Sequence, residues 1–149
     1  MDDTELMTQA LTEARLALEH DDVPVGAVVV VDGQVVARAH NERELRGDPT
    51  AHAEVLALRA AAKAVGNSRL DGATLVSTLE PCPMCAGAAL MSRVERVVFG
   101  AEDPKAGSLG SLYNLGADPR LNHEFVVQAR VLQDECGALL TDFFAAKRS

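Results

Sequence analysis

Apolar positions along this chain follow two rhythms, and their alternation predicts the elements. From residue 4 to residue 20, Leu6, Ala10, Ala14, Ala17 and Leu18 fall near helical spacing. Glu5, Glu13, Arg15 and Glu19 lie mostly on the other side, so an amphipathic helix is expected. His20, Asp21 and Asp22 end it. Residues 24–31, Pro-Val-Gly-Ala-Val-Val-Val-Val, are β-branched and apolar, the pattern of a buried strand. Asp32-Gly33 is a strong hairpin signal, and Gln34 to Ala39 returns as the second strand.

The stretch from Asn41 to Pro49 is polar and reads as irregular. Thr50 is placed to cap a helix over about residues 51–65, with Gly66 to stop it. Residues 73–79 read as a third strand, 81–92 as a turn and a short helix of small residues, and 96–100 as a fourth strand. Residues 101–120 hold glycines and prolines in a long loop, a form usually tied to function. Ser111 to Leu115 could make a helical turn there. Residues 125–132 read as a fifth strand and 134–147 as a closing helix. Alternating helices and strands imply an α/β domain, and the first hairpin makes its sheet mixed. Neither a repeat nor a linker divides residues 1–149, so a single domain is expected.

Composition adds bounds. A chain of 149 residues with 48% hydrophobic content builds one full core. No apolar run approaches the ~20 residues of a membrane helix. The N-terminus, Met1-Asp2-Asp3-Thr4-Glu5, lacks the basic head of a secretion signal. A cytoplasmic protein without membrane contact is expected. The net charge of −8 argues against a broad nucleic-acid surface. Arg43, Arg46, Lys105 and Arg120 could still form a local basic rim while the acidic first helix faces away.

Two short stretches carry the candidate chemistry. His52-Ala53-Glu54 and Pro81-Cys82-Pro83-Met84-Cys85 offer one imidazole, two thiols and one carboxylate. Catalytic zinc keeps three protein ligands and one open position. His52, Cys82 and Cys85 supply three, and Glu54 stands close by as a proton carrier. Cys82 and Cys85, three apart at a helix start, share one face, where the helix dipole favours thiolates. Other readings exist. Cys-x-x-Cys could be a redox pair. A fourth ligand from His123 or Cys136 would close a structural zinc site. Glu54 could be a solvated helix residue. Cys136 is expected as a small core residue, His20 and His40 as surface or edge residues, and His123 in a structural hydrogen bond.

At these residues the chain resembles the cytidine-deaminase-like superfamily, whose zinc members use this ligand set and a glutamate proton carrier. More closely it is similar to the bacterial tRNA adenosine deaminases, which convert the wobble adenosine of a tRNA anticodon to inosine. The likeness runs over nearly the whole chain. It includes residues 23–28, 48–54, 78–88 and 96–101, then Lys105, Gly107, Gly110-Ser111-Leu112, Asn122-His123, Asp134-Glu135-Cys136 and Asp142-Phe143-Phe144. It departs from the family at Pro83, which is also common in free-base guanine deaminases. Glu102 stands where the family is often basic, and a long basic tail is missing after Lys147-Arg148.

The resemblance implies a three-layer α/β/α fold around a five-stranded mixed sheet, and a homodimer. It implies one Zn2+ per subunit on His52, Cys82 and Cys85, with Glu54 as proton shuttle. Asn41 would hydrogen-bond the flipped base, and the Ala53 N–H would meet the oxygen formed at the reacting carbon. Asp103, Lys105 and Ser111 would touch the anticodon stem-loop, and Phe144 would help wall the pocket. A deaminase of a free base or nucleoside (guanine or cytosine) is the competing enzyme, and a zinc-stabilised binding module without catalysis the non-enzymatic reading.

Overall fold

The computed structural model describes residues 1–148. Helix α1 (Asp3–Leu16) starts where the Asp2 carboxylate accepts the Glu5 N–H at 2.8 Å, an N-cap. It tightens into a 3-10 turn over Ala17–His20, so the α-helix expected to residue 20 ends one turn early. Strands β1 (Gly26–Val31) and β2 (Gln34–His40) form the expected hairpin. Asp32 and Gly33 both take positive φ, 51° and 77°, as a two-residue hairpin turn of this hand requires.

Strands β3 (Thr74–Leu79), β4 (Arg96–Ala101) and β5 (Val126–Gln128) complete a five-stranded sheet of order β2-β1-β3-β4-β5. β1 runs antiparallel to β2 and β3, while β3, β4 and β5 are parallel. The mixed sheet matches the expectation. Helices α3 (Ala53–Val65) and α4 (Pro83–Ser92) cover one face. Helices α1 and α5 (Gln133–Arg148) cover the other. The strand period of two divides β1 between them. Ala27 and Val29 pack toward α3, and Val28 and Val30 toward α1. Strands buried on both faces therefore read as unbroken apolar runs.

Gly26 marks the closest approach of helix and strand. A Cβ there would lie 2.0 Å from the Ala10 carbonyl oxygen and 2.5 Å from the Ala14 nitrogen. Only glycine lets α1 sit this low on the sheet. Cys136 is buried in the α1 face as a core residue. Among the described residues no helix is long and apolar enough to cross a membrane.

Four local expectations change. Residues 43–46 are not irregular but form a short helix, α2 (Arg43–Arg46). Its Glu44 and Leu45 N–H groups donate to the buried Asp22 carboxylate at 2.7 and 3.1 Å, a cap too remote in sequence to read. Thr50 does not cap α3. Its hydroxyl donates to Asp48 Oδ1 at 2.7 Å, in a turn that Asp48 organises, and His52 stands at the N-cap instead. The helical turn expected at 111–115 lies instead at Leu115–Ala117, because the Leu109–Asn114 bridge closes the residues between them into a tight non-helical turn. β5 is three residues long rather than eight. It is an edge strand with one neighbour, and positive φ at Arg130 and Leu132 breaks the regular ladder, leaving Val131 to donate once more to the Phe99 carbonyl of β4 at 3.2 Å.

Candidate active site

The site lies at the edge where the parallel strands β3 and β4 end and α3 and α4 begin. Open α/β sheets place ligands in this crevice. β3 runs through Glu80-Pro81 into Cys82, the N-cap of α4. Pro83 takes the first helical position, where its missing N–H costs nothing. His52 is the N-cap of α3 in extended conformation. Two helix starts thus converge. Cys82 Sγ lies 3.7 Å from His52 Nδ1, and Cys85 Sγ lies 3.5 Å from the same nitrogen.

These spacings fit a metal. Zn–S bonds of ~2.3 Å and Zn–N bonds of ~2.0 Å set tetrahedral edges between sulfur and nitrogen at roughly 3.5 Å. The donor set of one imidazole and two thiols suits zinc, and three donors leave one position open. Neither His123 nor Cys136 joins them among the described residues, so the closed four-ligand reading lacks its fourth ligand. His123 instead donates from Nε2 to the Val94 carbonyl at 2.8 Å, the structural hydrogen bond expected of it.

The protons of the cluster are unevenly held. The Cys85 hydrogen bond and then that of His52 bring the Cys82 thiol down to about 4. The bond to Cys82 raises the His52 imidazole. Cys85, giving its proton to Cys82, is pushed far above the thiol range by that bond and by burial. A bound dication reverses this for Cys85, since ligation deprotonates a coordinating thiol. Glu54, only 4% exposed, is raised to about 7, chiefly by burial. That value is where one carboxyl serves both as base and as acid.

A cavity of about 220 Å³ opens over this cluster. It is smaller than the roughly 300–1,000 Å³ of drug-sized ligand sites. It therefore suits one base and not a stack of nucleotides. Asn41, His52, Ala53, Glu54, Cys82 and Asp103 all line it. Asn41 is buried, donates to the Val23 carbonyl at 3.2 Å and accepts the Arg43 N–H at 3.0 Å. Its amide is held in one orientation, with one N–H and one lone pair left over.

The remaining expected residues stand outside the cavity wall. Ser111 donates its hydroxyl to Glu80. Lys105 is exposed on the loop after β4. Phe144, on α5, is exposed and packs edge-on against Phe143 at 5.3 Å. The basic rim is weaker than expected. Arg43 pairs with Glu44, Arg46 with Glu42, and Arg120 with Asp118. Of the four cations, Lys105 alone forms no ion pair among the described residues. His40 ends the edge strand β2, as the edge expectation allowed, and both His20 and His40 are half-buried beside carboxylates.

Two buried carboxylates escaped the sequence reading. Asp22 caps α2, as described. Glu80, 1% exposed, accepts the Asp103, Leu109 and Ser111 N–H groups at 3.0–3.1 Å and the Ser111 hydroxyl. Burial works against its charge, but these bonds outweigh it and hold its pKa below the ordinary range. Gly107 leaves the space, since a Cβ there would lie 2.4 Å from the Glu80 carboxyl carbon. The signal available was a carboxylate directly after an apolar strand, where solvent exposure is rare.

Comparison with known proteins agrees with this geometry. Residues 1–148 match the model of the MafB19-like deaminases. The tRNA-specific adenosine deaminase of Bacillus subtilis is 54% identical over 95% of this chain and 88% of its own. That of Agrobacterium fabrum is 44% identical over 97% of this chain and 95% of its own. A structure solved in studies of A-to-I editing by tRNA:A34 deaminases at the wobble position superposes with a TM-score of 0.88. It is 44% identical over 92% of this chain and 99% of that one. A guanine deaminase from Nitrosomonas europaea shares the fold at a TM-score of 0.78 and 25% identity, over 95% of this chain and 84% of that one. The family match, the relatives and the fold agree, and the chain belongs to the tRNA-specific adenosine deaminases and matches the MafB19-like deaminase model.

Proposed function

We propose that this protein hydrolyses the 6-amino group of the wobble adenosine in a tRNA anticodon, giving inosine and ammonia. The observation that carries the reading is the convergence of His52, Cys82 and Cys85 beside the buried Glu54, in a cavity sized for one base. Identity of 54% to a tRNA-specific adenosine deaminase supports the substrate class. Residues 1–149 act as one deaminase domain. The protein works in the cytoplasm as a homodimer, in which exposed Met91, Leu112 and Tyr113 offer apolar surface for burial.

His52 Nδ1 and the Cys82 and Cys85 thiolates would hold one Zn2+, which when bound would supply a water of pKa near 7. Asn41 positions the flipped base through its remaining amide groups. Glu54 takes a proton from the attacking water and gives it to N1 of adenine. As oxygen bonds to C6, the Ala53 N–H at the helix start donates a hydrogen bond to it. Glu54 then carries the hydroxyl proton to the departing N6. The C6–N6 bond breaks, ammonia leaves, and the ring keeps a C6 carbonyl. Around the rim, Asp103, Lys105 and Ser111 meet the anticodon loop, and the exposed Phe144, outside the cavity wall, is left to meet the stem-loop beyond the base.

The test is turnover by the zinc-loaded protein of an anticodon stem-loop with adenosine at the wobble position. Free adenosine, guanine and cytosine run in parallel. Inosine formed in the stem-loop is the expected result. Turnover of free guanine with an inert stem-loop overturns the substrate assignment and leaves the zinc chemistry standing.

A further inference from the structure

A second group of metal-type donors stands apart from the cavity, where the 3-10 turn, the end of β2 and the residue before α2 meet. The rings of His20 and His40 lie 5.3 Å apart with 30° between their planes. A donor atom from each of His20, His40 and Glu42 lies within 4.8 Å of the other two. Deamination makes no use of these three side chains.

Each donor has a partner that sets its direction. His20 Nδ1 lies 2.7 Å from Asp22 Oδ2, and Asp22 is itself fixed by the Glu44 and Leu45 N–H groups. With Nδ1–H given to that carboxylate, His20 Nε2 carries a lone pair. This nitrogen is buried and bonds to nothing among the described residues. Native interiors rarely leave such an atom unpaired. His40 repeats the arrangement, with Nδ1 3.2 Å from Glu13 Oε1. Its Nε2 faces Glu42 Oε2 at 4.0 Å. Glu42 Oε1 accepts Arg46 Nε at 2.9 Å, so Oε2 is the oxygen left over. Histidine ligands of metals nearly always donate their second ring N–H to a carboxylate, a carbonyl or water.

We propose that His20, His40 and Glu42 form a second metal site, for a divalent first-row transition ion such as Zn2+, Co2+ or Ni2+. Two imidazoles and one carboxylate suit these ions and lack the thiolates that favour Cu+. The 4.0 Å between Nε2 and Oε2 exceeds the roughly 3.3 Å between ligands around zinc, so a small side-chain rotation closes the site. His40 and Glu42 flank Asn41, which lines the cavity. A metal held at 40 and 42 pins the chain segment that presents Asn41 to the base.

The experiment uses untagged, full-length protein with its His52 site already zinc-loaded. It is titrated with Co2+ and followed by visible absorbance and calorimetry, with thermal unfolding as a second readout. One further equivalent is expected, with bands of nitrogen and oxygen ligation and no thiolate-to-cobalt charge transfer. His20→Ala and His40→Gln should each weaken it at least about tenfold. Added Co2+ should raise the unfolding temperature of the wild type and not of these variants. If either variant fails to fold, Glu42→Gln replaces it. Absence of a further equivalent in the wild type, or binding unchanged in the folded variants, overturns the proposal and leaves a hydrogen-bonded polar cluster.

Discussion

Glu54 owes its proposed role to burial. Taking a carboxyl out of water disfavours its charge, and here that raises the group to about 7. Replacing it removes the shuttle without touching a metal donor. Glu54→Ala should lower kcat by at least about 10²–10⁴-fold, with zinc content and circular dichroism unchanged. Turnover close to wild type would remove Glu54 from the mechanism. Glu80 works at the same scale by other means. It is charged, buried and fully bonded, and it ties the loop bearing Asp103 and Ser111 to the end of β3. Glu80→Gln keeps the shape but weakens the charge-assisted bonds, at about 1–3 kcal/mol. Urea unfolding measures that cost. A free energy within error of wild type would mean that the loop does not depend on the charge.

At the scale of elements, the site is a meeting of helix starts. α3 and α4 each begin at a metal-type donor, so helix position and donor position are one constraint. α1 is tied across the sheet by a bidentate pair, Arg96 to both Asp3 oxygens at 2.8 Å. Arg96 holds the Asp3 carboxyl below its ordinary value of 3.8. The sign follows. The pair stabilises the fold fully above the ordinary carboxylate value, and its contribution is lost as pH falls through the lowered folded value. Asp3→Asn should therefore be less stable than wild type at neutral pH, by up to about 1 kcal/mol for this partly exposed pair. The gap should close in acid. Urea midpoints across the acid range test this, and a gap that widens with falling pH would contradict it.

Across the whole molecule, charge and substrate pull in different directions. The net charge is −8, yet the proposed substrate is a polyanion. The structure sharpens the conflict, because the arginines near the site are paired with carboxylates and, of the four rim cations, Lys105 alone is left to meet phosphate. Recognition then rests on a splayed base in a small cavity more than on a positive field. Lys105→Glu should weaken stem-loop binding and lower the slope of log K against log salt by about 0.7 per lost contact. Zinc content should not change. Binding measured at several salt concentrations with an unaltered slope would take Lys105 out of the interface.

The sequence alone determined whatever depends on neighbours along the chain. The first strand of the hairpin was legible in its unbroken apolar run, the turn in Asp32-Gly33, and the end of α3 in Gly66. The metal-type donors were legible because His52 and the Cys82–Cys85 pair each sit in a short motif tied to one chemistry. Contacts between distant segments were decided only by the tertiary structure. α2 had no visible cause until Asp22 arrived from the other side of the hairpin, whereas the Thr50 cap lost to a local rival, Asp48 two residues back. β5 was cut short by its place at the sheet edge, which no local pattern encodes. Nothing in the sequence reading marked Glu80 or Asp22 as buried, and His20 and His40 read as surface or edge residues. Local preferences act over a few residues, whereas burial and the pairing of buried polar groups depend on which surfaces the folded sheet brings together.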